Sequence, residues 1–134
     1  MTREVSLSEG SGPFQELVGL KYPRIEKGYS QCVLEVSEKL LNLNRSVHGG
    51  AIYTLADAGM GGALYSTLDK AQLGTTIEVQ IAYFKPVTSG TLTCDTRVVH
   101  KTRTFASLES EIMNDGRLVA KATGTWHISK ANRD

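Results

Sequence analysis

The chain has 134 residues, enough for one domain with a substantial core. Lys and Arg number 15 and Asp and Glu 14, leaving a formal charge of +1. No broad field therefore draws in nucleic acid or an anionic membrane surface. No apolar run reaches the roughly 18 residues needed to span a bilayer. The N-terminus lacks a charged-then-apolar leader, and a cytoplasmic setting is expected.

Residues 1–12 mix Ser, Gly and charge and read as a flexible tail, with a single domain over 13–134. Pro13 to Val18 suits one helical turn. Leu20–Glu26 and Tyr29–Ser37 read as a hairpin about Lys27-Gly28, with Cys32, Leu34 and Val36 alternating against Gln31, Val33 and Glu35. Leu40–Val47 is a loop, and a helix is predicted from about Gly49 to Thr67. Four strand-like runs follow. Thr75–Phe84 alternates Ile77, Val79, Ile81 and Tyr83 against Thr76, Glu78 and Gln80, and ends at Pro86. Leu92–His100 and Arg103–Met113 come next. Asn114-Asp115-Gly116 is a hairpin signal, and Leu118–Ile128 closes the set with Leu118, Ala120, Ala122, Trp126 and Ile128 on one face. Cys32 and Cys94 lie far apart on apolar phases and read as buried free thiols, not a disulfide or metal pair. The three His are widely spaced, and no cluster has metal-ligand spacing.

The helix is unusual in composition. Gly49, Gly50, Ala51, Ala56, Ala58, Gly59, Gly61, Gly62 and Ala63 fall within about four turns. Each interior Gly costs about 1 kcal/mol relative to Ala. A surface helix has no use for that cost. A helix pressed against another backbone does, because absent side chains permit the approach. Asp57 is the one acidic or basic residue between Gly49 and Leu68. A carboxylate alone on a helix meant for burial is paired, neutral or functional.

Period-2 runs with one polar face argue an antiparallel sheet covered on one side, and a single long helix is available to cover it. The expected class is α+β, with one buried helix against a curved sheet of about six strands. One helix cannot hide such a sheet, nor can one chain protect both outer strands, so at least a two-fold dimer is expected.

Asn42, then Val47-His48-Gly49-Gly50, then Asp57 together resemble the helix-start motif of hotdog-fold acyl-CoA thioesterases, most closely the phenylacetate-pathway, His-Gly-Gly group. The resemblance covers about residues 13–129 and includes the segment Thr76–Pro86. One departure is Arg45, where many relatives carry Gly, so that loop is expected to bend differently. The resemblance implies a hotdog fold and hydrolysis of an acyl-CoA. It implies no cofactor, because coenzyme A is part of the substrate. It also implies a homodimer or dimer of dimers with its sites at the interface.

It assigns the Gly49 N–H as oxyanion donor, in keeping with the unpaired amides and positive dipole end of a helix start. Gly50, like Gly49, leaves room for an approaching carbonyl. Asp57 is nucleophile or general base. It lies about 12 Å along the axis from Gly49, so two antiparallel helices in a dimer would bring Asp57 of one chain opposite Gly49 of the other. Asn42 would hold water or the carbonyl, unless it is only a turn residue. Thr76 would orient water or Asp57, unless it is an ordinary strand Thr. His48 reads as a residue whose ring fixes the loop rather than as a base. Tyr83 lines the pantetheine channel or simply packs. Lys101 and Arg103 suit nucleotide phosphates or a solvated turn, and His127 reads as surface or rim. Tyr53, Leu55, Met60, Leu64 and Phe84 are candidates to shape the acyl pocket. The competing classes are a hydratase or dehydratase, which needs a His and an acid placed for proton transfer, and a non-catalytic acyl-CoA sensor.

Overall fold

The computed structural model of the protein describes residues 12–131, so the tail expected over 1–12 lies outside the described residues except for Gly12. Helix α1 (Pro13–Val18) starts on a proline at its first turn and stops at Gly19, whose φ of 84° is left-handed. Strands β1 (Lys21–Glu26) and β2 (Tyr29–Glu35) form the expected hairpin, closing with Glu26 opposite Tyr29. Helix α2 (Gly49–Tyr65) follows the 36–48 loop. Then come β3 (Gln72–Tyr83), β4 (Thr91–Lys101), β5 (Phe105–Asn114) and β6 (Arg117–Lys130). Asp115 and Gly116 both have positive φ between paired Asn114 and Arg117, the two-residue turn that the Asn-Asp-Gly signal predicts.

The six strands form one antiparallel sheet in the order β1-β2-β4-β5-β6-β3, with α2 packed on one face. This is the α+β hotdog architecture. The core is the helix face Ile52, Leu55, Ala56, Met60, Ala63 and Leu64 against inward residues of the sheet. Leu55, Met60 and Leu64 are fully buried there, so they are core and not the pocket walls that the sequence suggested. Cys32 and Cys94 are free and buried, and β2 and β4 place them directly opposite each other despite their distance in sequence.

The helix glycines do what their cost implied. A Cβ on Gly59 would strike the Thr96 hydroxyl and come within 3.1 Å of the Cys94 sulfur. The helix backbone thus lies close enough for sheet hydroxyls to reach its carbonyls. Ser30 donates to the Gly59 carbonyl at 2.6 Å, Tyr22 to Ala58 at 2.7 Å and Ser110 to Ala56 at 3.1 Å. Ser30, Thr96 and Ser110 are wholly buried, and each gains a hydrogen bond in place of water. These bonds hold the stretch on either side of Asp57.

Two irregularities change the sequence-based faces. The β3–β6 register shifts between Thr76 and Glu78. A bulge of this kind puts two residues against one and re-aims what precedes it. Thr76 therefore sits opposite buried Trp126 and faces the helix with Val79, Ile81 and Tyr83, while Ile77 is 59% exposed. The simple alternation had placed Thr76 on the polar face and Ile77 on the apolar one. A second shift, between Ile112 and Met113, turns Leu118 outward and leaves Val119 and Ala120 buried.

Candidate active site

The loop before α2 is built by Asn42. Its side-chain carbonyl accepts from the Asn44 N–H at 2.9 Å and the Ser46 N–H at 3.2 Å, and its amide donates to the Ser46 hydroxyl at 3.1 Å. Asn42 is thus occupied in folding the 42–46 turn, and it does not line the cavity described below. Arg45 takes φ 65° in this turn and pairs with Glu38 at 2.8 Å. It adopts the left-handed conformation that a Gly would take freely, at a cost of about 1 kcal/mol.

Each residue of His48-Gly49-Gly50 has a distinct task. His48 caps the helix: its Nδ1 accepts from the Gly50 N–H at 2.8 Å. Gly50 must lack a side chain, because a Cβ there would fall 2.9 Å from that same nitrogen. Gly49 lies under the Tyr83 ring, and the Tyr83 hydroxyl donates to the Gly49 carbonyl at 2.7 Å. The Gly49 N–H stands at the positive end of the helix with no acceptor among the described residues. The cap holds it in place.

From Gly49 a single i+4 row runs along the helix: Gly49, Tyr53, Asp57, Gly61, Tyr65. This row meets β3 in reverse order. Gly49 bonds Tyr83, Tyr53 donates to the Val79 carbonyl at 3.3 Å, Asp57 bonds Thr76, and Tyr65 donates to the Gly74 carbonyl at 3.1 Å. The bulge at Ile77 is what aims Thr76 at the row. Its hydroxyl donates to Asp57 Oδ1 at 2.8 Å.

Asp57 is half-buried, and no ion pair to it occurs among the described residues. Burial pushes its pKa above the usual carboxylate range, and the Thr76 hydrogen bond pulls part of the way back. The carboxylate is therefore held ready to accept a proton or attack a carbon, with one oxygen oriented by a neutral donor. Asp57 and Thr76 line an open cavity of about 760 Å³. It continues along α2 past Ala58 and Gly61 toward Leu68, with Tyr22 and Trp126 among its walls. Tyr22 and Ile25 of β1 and Gln15 of α1 were not foreseen here. Of the proposed pocket-shaping residues, Tyr53 and Phe84 are exposed at the same edge of the sheet but outside the cavity.

Lys101 donates to the Thr67 carbonyl at 3.2 Å, where a cation complements the C-terminal end of α2. Arg103 is exposed in the β4–β5 turn, and neither residue lines the cavity. His127 is half-buried at the rim, its ring 5.3 Å from that of Phe105. No group of three or more potential metal ligands occurs among the described residues. No helix among them is long and apolar enough to cross a membrane.

Residues 44–121 match the thioesterase superfamily. The chain belongs to that superfamily. It is 33% identical over 112 residues to SSO1253 of Saccharolobus solfataricus, a protein named as an esterase, covering 83% of this chain and 74% of the relative. Conserved protein PA5202 from Pseudomonas aeruginosa superposes with a TM-score of 0.89 at 30% identity, covering 93% of this chain and all of that one. A mutant of the phenylacetic acid degradation protein PaaI from Thermus thermophilus superposes with a TM-score of 0.80 at 28% identity, covering 87% and 98%. The hotdog fold and a thioester-hydrolase class of chemistry follow for this superfamily member.

Proposed function

We propose that this thioesterase hydrolyses an acyl-CoA to the free acid and coenzyme A, at sites shared by two subunits, in the cytoplasm and without a cofactor. The observation that carries the reading is the pairing of Asp57 with Thr76 on the helix row that begins at the Gly49 N–H. Asp57 attacks the thioester carbon, or takes the proton from the water that does. The Gly49 N–H of the partner subunit stabilises the oxyanion. Thr76 orients the carboxylate, His48 fixes the donor by capping the helix, and Asn42 shapes the loop that presents it. Two buried free thiols fit a reducing compartment.

The dimer is supported by the outer edge of β3. This strand is 12 residues long, and no strand among the described residues pairs with its far side. Leu73, Ile77, Tyr83 and Phe84 are exposed along it, with Tyr53 and Tyr65 beside them on the helix. Such an edge is a template for another strand. Inward positions on β3 are Thr76, Val79, Ile81 and Tyr83. Two antiparallel copies keep inward residues opposite inward residues whenever the axis passes through a residue; of these registers the shared site requires the one with its axis at Gln80, counted with the bulged Ile77 left out of the pairing. That register sets Thr76 against Tyr83 of the partner subunit. Because Asp57 is bonded to Thr76 and Gly49 to Tyr83, the same register brings base and oxyanion donor together.

A hydratase or dehydratase is disfavoured because His48 turns Nδ1 to its own helix and not toward Asp57. Free-thiol release from a panel of acyl-CoAs tests hydrolysis directly, and turnover absent in all of them would favour a sensor. Light scattering at micromolar concentration is expected to give the mass of a dimer or a dimer of dimers. An active monomer would contradict the shared site.

A further inference from the structure

The free edge of β3 is not uniform. In an antiparallel strand each residue directs its N–H and C=O to one side, and the side alternates along the chain. The Tyr65 hydroxyl donates to the Gly74 carbonyl at 3.1 Å and accepts from the Gly74 N–H at 3.0 Å. One side chain of α2 thus satisfies both edge-facing groups of Gly74. The Gln72 N–H, on the same side, donates to the Asp69 carbonyl at 3.2 Å. Beyond Gly74 the edge is open. Thr76, Val79, Ile81 and Tyr83 share its direction, because Ile77 is bulged out of the alternation. Among the described residues only Val79 has a partner there. Its carbonyl accepts from Tyr53 at 3.3 Å, which leaves its N–H and a second lone pair free.

The open stretch, 76–83 without Ile77, has Gln80 as its middle residue. The whole strand, Gln72–Tyr83 without Ile77, has Glu78. Two copies paired over the whole strand would therefore place the axis at Glu78, with Gly74 against the partner's Ile81 and Thr76 against the partner's Val79. That register slides one chain past the other by about four residues, roughly 13 Å, and parts Asp57 from the partner's Gly49. An uncapped edge favours the slide, because every unpaired N–H and C=O along it is a template for another strand. The cap removes the gain, since Gly74 would give up two hydrogen bonds to make two.

Resting on the shared-site reading above, we propose that Tyr65 sets the register of the dimer. By capping Gly74 it ends the ladder at Thr76 and centres it on Gln80, the axis that joins Asp57 to the partner's Gly49. Tyr65 is a positioning residue that acts through Gly74 and the strand it turns away.

Cross-linking reads the register directly. Gln80 directs its backbone groups to β6, so across the axis it meets its own copy as a non-hydrogen-bonded pair, with Cα atoms about 4.5 Å apart. That separation suits a disulfide. Gln80→Cys and Glu78→Cys are each made in the wild-type and the Tyr65→Phe chain, oxidised with diamide and run on a non-reducing gel. Both positions are exposed, while Cys32 and Cys94 are buried, and the chain without an added Cys is the control. With Tyr65 in place, Gln80→Cys is expected to cross-link about tenfold more than Glu78→Cys, and Tyr65→Phe should reverse the preference. Thiol release by Tyr65→Phe should fall about tenfold or more, with a dimeric mass retained, because Asp57 then faces the wrong part of the partner. Locking the Tyr65→Phe, Gln80→Cys dimer with its disulfide should restore turnover to that of Gln80→Cys alone.

Cross-linking that stays at Gln80→Cys in both backgrounds would overturn the proposal and leave the shared site standing. A loss of turnover that the lock does not restore would also overturn it, by confining Tyr65 to its own chain. Cross-linking at neither position, or at Glu78→Cys with Tyr65 in place, would overturn the shared-site reading and the proposal together.

Discussion

Asp57→Asn is expected to lower kcat by a factor of about 100 to 10,000, the usual consequence of losing a general base or nucleophile. The amide is nearly isosteric and can still accept from Thr76 Oγ1, so the fold and the binding of a non-hydrolysable acyl-CoA analogue should survive. Wild-type activity should rise with pH through an acidic limb that the variant lacks, because burial raises the Asp57 pKa and the reaction needs the carboxylate. Stability runs the other way. A carboxyl whose folded pKa is raised favours the fold below its unfolded pKa, and that contribution is lost as pH rises through the folded pKa. The Asn variant should therefore melt higher than wild type at neutral pH, with the gap closing in acid. A group kept at a cost in stability is one kept for its chemistry. Near-normal turnover with a raised melting temperature would remove Asp57 from the mechanism.

Gly49→Pro is expected to cost about 100- to 1,000-fold in kcat, the range seen when one oxyanion donor is deleted. Proline suits the first helical position, where its missing N–H is otherwise unpaired. His48 before it has φ −58° and ψ 133°, the extended conformation that a residue preceding proline prefers. A Cβ at Gly49 would meet Tyr83 at 3.4 Å, an ordinary contact. The substitution thus removes the donor while keeping the helix start, and circular dichroism should show an unchanged fold. Retained turnover would move the oxyanion site elsewhere.

The helix, its small-residue face and the hairpins were legible because they rest on local rules. Gly spacing, period-2 alternation and the Asn-Asp-Gly turn each act within a few residues. His48 and Asp57 were also legible, the first as a helix-start residue and the second as the lone carboxylate on a buried helix. The phase of Thr76 was not, since the bulge at Ile77 arises from pairing with β6, a strand distant in sequence. Leu118 was misplaced for the same reason, by a bulge in its pairing with β5. Helical phase makes Leu55, Met60 and Leu64 candidates for pocket walls, because phase alone does not say which neighbour each face meets. Ser30, Thr96 and Ser110 carried a usable signal, as each shares the inward phase of apolar neighbours such as Cys32, Cys94 and Leu108. Their partners, the carbonyls of α2, could be named only once helix and sheet were seen in contact. Tyr22, Gln15 and Ile25 gave no signal at all, because they reach the cavity through the packing of β1 and α1 beside the helix.

The shared site is tested most directly by mixing the two inactive variants. Asp57→Asn and Gly49→Pro chains, unfolded together in equal amounts and refolded, reassort so that about half of the dimers are mixed, each with two symmetry-related sites. In a mixed dimer one site combines both defects, and the other joins an intact Asp57 to an intact Gly49. The account predicts recovery of about a quarter of wild-type activity from two preparations that are each nearly inactive. Activity no greater than the average of the two parents would place Asp57 and its oxyanion donor in the same chain and contradict it.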